Sequence, residues 1–115
     1  MVKKAGTIKG EIKTEEQGGK GSVEIKPIYR QEELEGNAKL VGLISINPGC
    51  SIGLHRHVDE EEIYYILRGQ GLIRDNGAEE RVTSGDAHLL KSGGCHAIEN
   101  TGSEPLEFLA LILPC

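Results

Sequence analysis

From Ser22 onward, apolar residues recur in short runs and without helical spacing: SVEIKPIY, KLVGLISI, a stretch around LHRH, EIYYILRG, GLIRD, EERVT, AHLLK, HAIEN and PLEFLALIL. Short runs of this kind, alternating or continuous and bounded by turn formers, predict β-strands. The punctuation is Asn47-Pro48-Gly49, Asp75-Asn76-Gly77, Ser84-Gly85-Asp86, Ser92-Gly93-Gly94 and Thr101-Gly102-Ser103. Of these, Asn76-Gly77 is the strongest hairpin signal, because the tight turn it favours needs positive φ at both central residues. The single helix candidate is Gln31 to Asn37, and Gly36 interrupts it too soon for more than one turn. Roughly eight to ten strands in so short a chain predict an all-β sandwich or barrel. Residues 1–21 are polar and end in GGKG, so they read as a flexible arm before one domain spanning 22–115, with residues 1–17 expected to be dispensable.

Composition sharpens the strand reading. Sixteen of the 115 residues are glycine, Trp is absent, and aromatics are limited to three Tyr and one Phe. That suits many tight turns around one modest core. No apolar run reaches the roughly 18 residues of a membrane span, and the N-terminus lacks a signal-peptide core, so a soluble cytoplasmic protein is expected. The net charge of −5 has the wrong sign for nucleic-acid binding. It is also uneven, since residues 1–26 carry six Lys against four Glu and the remainder is acidic. Cys50, Cys95 and Cys115 show no CxxC spacing and read as reduced thiols.

The chemistry concentrates in the histidines. There are four, and His55 and His57 are one residue apart in a predicted strand. Side chains at i and i+2 share a face, so both imidazoles point inward while Arg56 points away. The acidic run Asp59, Glu60, Glu61, Glu62 follows at once, and imidazole nitrogen with carboxylate oxygen suits a divalent transition metal.

Spacing on both sides of this pair resembles the cupin superfamily. Its first motif is matched by Gly49, five residues, His55-Arg56-His57, four residues, Glu62, six residues and Gly69. The second is matched by Gly85, five residues, Lys91-Ser92-Gly93, two residues, His96, three residues and Asn100, with Lys91 in place of the usual proline. The fold this implies is a double-stranded β-helix, the jelly-roll cupin barrel. The resemblance further implies a metal site built from His55, His57, Glu62 and His96, with Glu61 as the alternative carboxylate. Such a set would hold one divalent transition metal per chain, Mn, Fe, Ni, Cu or Zn. His88 falls outside the ligand positions and is expected as a buried or rim histidine. Asn100 is expected to tie a turn.

Tyr64, two residues after Glu62, is expected to face the cavity and offer its hydroxyl as a catalytic group. The expected function is a metal-dependent enzyme of dioxygenase, isomerase or cyclase type acting on a small oxygen-rich molecule, the alternative being a non-catalytic small-molecule or metal-binding module. Oxalate-handling cupins carry an arginine three residues before the first ligand histidine, where this chain has Ile52. With Gly53 and Leu54 following, an apolar pocket wall is expected, with little oxalate turnover and better binding of apolar or aromatic hydroxy compounds. A homodimer in which part of Gly21 to Leu43 crosses to a partner is also expected.

Overall fold

Burial along β10, Leu106–Pro114, alternates with period two: Leu106, Phe108 and Ala110 turn inward and the residues between them outward. This strand lies between β3, Leu40–Ile46, and β5, Glu60–Arg68, so its backbone is paired on both sides. The computed structural model describes all residues 1–115. Its other strands are β1 Glu11–Thr14, β2 Ser22–Tyr29, β4 Ser51–Arg56, β6 Gln70–Asp75, β7 Ala78–Thr83, β8 Ala87–Leu90 and β9 Cys95–Asn100. They form two antiparallel sheets, a six-stranded one in the order β1-β2-β3-β10-β5-β8 and a four-stranded one in the order β4-β9-β6-β7. Facing each other, the sheets make the jelly-roll barrel that the strand count and motifs led us to expect.

The N-terminal segment departs from the expected arm. Residues 11–14 form β1, whose register against β2 runs from Glu11↔Ile25 to Thr14↔Ser22. All four β1 side chains are exposed, so no apolar alternation marks the strand in the sequence. Residues 15–20 then lie across β4, where the Ser51 amide donates to the Lys20 carbonyl at 2.9 Å. Gln31–Glu33 is one turn of 3-10 helix, in keeping with the short QEELEGN run.

Between the sheets lies an apolar cluster including Ile44, Ile46, Ile66, Ile73, Ile98 and Phe108. Each such side chain contributes roughly 1.5–3 kcal/mol by leaving water. Asn100 is buried beside this cluster, its amide donating to the Ile46 carbonyl at 2.8 Å and the Glu104 carbonyl at 2.7 Å. Its side-chain oxygen accepts from the Gly102 amide at 2.8 Å, so it ties the turn before β10 as expected.

The detail of the fold that most affects the site is in β4. Ile52 pairs with Ile98 and His55 with His96, so β4 spends three residues where β9 spends two. The extra residue is a β-bulge, and it lets Ile52 and His55 face inward despite their odd spacing. Leu54, next to inward His55, faces out by ordinary alternation and is 66% exposed. It lines a surface pocket with Gly19 and Ala97 rather than the interior cavity of the four donors, which corrects that expectation. Ile52 is buried in the core cluster.

Candidate metal centre

Four side chains converge at one end of the barrel. His55 comes from β4, His57 from the residue just beyond it, Glu62 from β5 and His96 from β9, and one donor atom from each lies within 4.8 Å of all the others. Glu62 and His96 are buried and His57 almost so, whereas Glu61 is partly exposed and outside the group. Glu62 and Tyr64 share the inward face of β5 with Ile66, so alternation alone separates Glu62 from its neighbours.

Hydrogen bonds behind the rings orient the donors. His55 Nδ1 lies 2.7 Å from the Gly53 carbonyl, which only accepts, so Nδ1 carries the proton and Nε2 a lone pair. His57 Nδ1 donates to Glu60 at 2.5 Å, and Glu60 is held in turn by Lys39 at 2.7 Å. The Lys39 hydrogen bond keeps the Glu60 carboxyl below the usual range, with the His57 hydrogen bond adding to it. His96 Nδ1 faces His88 Nε2 at 3.2 Å, and His88 Nδ1 is 3.9 Å from Asp75. With Nε2 of His96 turned to the donor group, Nδ1–H donates to His88. Burial lowers the pKa of both His55 and His88, which favours neutral imidazoles.

Three Nε2 atoms meet one carboxylate. His55 Nε2 and His96 Nε2 are 3.1 Å apart, and Glu62 Oε1 is 2.9 Å from the Nε2 atoms of both His57 and His96. His57 Nε2 and Glu62 Oε1 are buried without a hydrogen-bond partner. Acceptors crowded so closely repel unless a proton or a cation lies among them, and stranding them costs ~1–3 kcal/mol each. The residues present fit a divalent transition metal.

Tyr64 is 1% exposed, stacks on His96 with ring centroids 5.0 Å apart, and brings its hydroxyl to 3.5 Å from His96 Nε2. Burial raises its pKa well above the usual phenol value, with the nearby Glu62 charge adding to the effect. His88 stands behind His96 and outside the donor group, as expected. Arg56 points away and donates to the Gly93 carbonyl at 3.0 Å. Glu60, Lys39 and the Gly53 carbonyl were not anticipated. Glu60 carries a legible signal, since it sits three residues after His57, but Lys39 is distant in sequence and the Gly53 contact depends on the bulge.

The fold is a jelly-roll barrel whose three histidines and one glutamate meet at one interior point and could hold a metal ion. The cupin domain family model matches residues 42–112, and the chain belongs to that family. It is 42% identical over 113 residues to the oxalate-binding protein of Thermotoga maritima, covering 98% of this chain and 93% of that one. It superposes at a TM-score of 0.96, with 42% identity and full coverage of both chains, on the crystal structure of a predicted oxalate decarboxylase from Thermotoga maritima. A 74-residue stretch is 32% identical to the tetracenomycin polyketide synthase protein TcmJ of Streptomyces glaucescens, covering 64% of this chain and 50% of that protein. No helix is long and apolar enough to cross a membrane.

Proposed function

We propose that the protein is a metal-dependent enzyme acting on a small oxygen-rich molecule, with His55, His57, Glu62 and His96 as the ligands of one divalent transition metal. The observation that carries this reading is the pair of buried, unpartnered lone-pair atoms on His57 and Glu62 at the meeting point of the four side chains. When bound, the metal supplies positive charge and Lewis acidity to a chelating ligand. The chain's part is to aim three imidazole Nε2 atoms at one point through the contacts made by their Nδ1 atoms, keep Glu62 dry, and present the Tyr64 hydroxyl as a hydrogen-bond donor. Burial keeps that hydroxyl protonated, so Tyr64 stabilises negative charge on a bound oxygen without giving up its proton at neutral pH.

The ligand class follows from two considerations. A relative named as oxalate-binding supports a compact chelating acid. Against turnover of oxalate, Ile52 stands in place of arginine, and no Lys or Arg is among the buried residues. A second carboxylate would be left without a cation, which is costly in a dry site. Oxalate is expected to bind the metal-loaded protein but to be decarboxylated or oxidised little. The exposure of Leu54 removes half of the apolar wall on which a preference for aromatic hydroxy compounds rested. The relative's name favours a second reading, a binding module without turnover. Oxygen uptake and product release, screened with small hydroxy acids and enediols on the manganese-loaded protein, separate the two. Turnover abolished in His55→Ala supports the enzyme, and saturable binding with no turnover of any of them supports the module.

The partner we propose is a second copy of the chain, docked without the expected crossing of Gly21 to Leu43, because β2 is paired on both sides by β1 and β3 of its own chain. Tyr65 is 45% and Leu89 47% exposed on the outer face of the six-stranded sheet, where Leu89 pairs with Ile63 and Ile63 with Leu111. Light scattering tests this, with a monomer mass at micromolar concentration as the contrary result.

A further inference from the structure

We propose that residues 15–20 form a strap that positions the ligand His55 through the backbone of Gly53, an inference that rests on the four-donor group holding a metal. A bulged strand is freer than a laddered one at the inserted residue, so something must fix where the Gly53 carbonyl points. That carbonyl decides which His55 nitrogen carries the proton and how the ring is turned. The strap lies directly on this stretch. The Ser51 amide donates to the Lys20 carbonyl and the Lys20 amide to Ser51 Oγ, both at 2.9 Å.

Two glycines allow the approach. A Cβ on Gly53 would collide with the Gln17 carbonyl oxygen, and one on Gly19 with the Ser51 carbonyl oxygen. Neither glycine needs positive φ, so close backbone contact is the reason for both. The strap is itself strained, with Glu15 at φ 51° and Gln17 at φ 52°, non-glycine residues in the left-handed region. Such conformations persist where the surroundings hold them, and they cluster where precise placement matters. His57 and His96 are oriented by other groups, Glu60 and His88, so the strap acts on one ligand of the four.

The test uses the full chain with Gly19→Ala and Gly53→Ala, and Gly36→Ala as the control, because a Cβ there meets nothing. Titration with Mn2+ should show ~10–100-fold weaker binding in the first two variants and no change in the control. Nitrogen-15 imidazole spectra of the metal-free protein should show His55 losing its clean Nδ1–H pattern while His57 keeps its own. Gly19→Ala leaves the sequence of β4 unchanged and perturbs it only through the strap, so it decides the matter if Gly53→Ala does not fold. If neither folds, Ser51→Ala removes only the Lys20 hydrogen bond and should weaken Mn2+ severalfold. Folded variants that bind Mn2+ within twofold of wild type, or that shift all the histidines alike, would overturn the proposal. Wild-type protein that takes up no Mn2+ would instead overturn the metal reading, and the metal-free spectra would still report on the strap.

Discussion

The two ends of the barrel interior use the same strands for different purposes. Along β5 the inward positions run from Glu62 through Tyr64 to Ile66, and along β9 from His96 through Ile98 to Asn100. One end gathers lone pairs that repel one another, and the other gathers Ile46, Ile66, Leu106 and Phe108, which are fully out of water. A group of buried donors adds nothing to stability without a cation. The apolar end must therefore carry the fold, and two-residue steps along continuous strands transmit its rigidity to the donors. Stability and ligand geometry are separable by mutation, even though they are only a strand step or two apart.

The largest effect expected is on the apolar side. Phe108→Ala should cost about 3–5 kcal/mol, read from urea unfolding of the metal-free protein, because the ring is fully buried against Tyr64. His96→Ala should do the reverse, abolishing stoichiometric metal while costing the metal-free fold much less, whereas His88→Ala should retain metal. Comparable stability losses in Phe108→Ala and His96→Ala would erase the distinction between the two ends.

Glu60→Gln comes next. It removes the charge that orients His57 and should weaken metal binding ~10–100-fold by isothermal titration. A smaller effect concerns pH. Burial depresses the pKa of His55 and His88, so the unfolded chain takes up protons first as pH falls below about 6.5. Stability present above that value is lost progressively on acidification, and the urea midpoint of the metal-free protein should be lower at pH 5 than at pH 7. A midpoint unchanged between the two would show that these imidazoles are not held neutral. Leu54→Ala should do least, changing stability by no more than ~0.5 kcal/mol and leaving metal affinity alone, because the side chain faces solvent.

Period-two alternation and the turn residues made the strands from Ser22 onward legible, and the His-x-His spacing with Glu62 and His96 made the donor group legible. What escaped was carried by the backbone. β1 has four exposed side chains and is held mainly by its backbone ladder to β2. The bulge in β4 brings Ile52 inward at an odd spacing from His55 without any residue of strong preference to announce it, whereas the outward side of Leu54 follows from its place next to His55. Lys39, held by Glu60 across twenty-one positions of sequence, depends on the strands' placement and has no local signature.

The most direct test of the central claim is elemental analysis of protein purified without chelator or affinity tag and then equilibrated with excess Mn2+ and desalted. About one metal ion per chain in the wild type, and essentially none in His96→Ala at the same pH, is the result expected of three imidazoles and Glu62 acting together. A full complement of metal in His96→Ala, or none in the wild type, would contradict it.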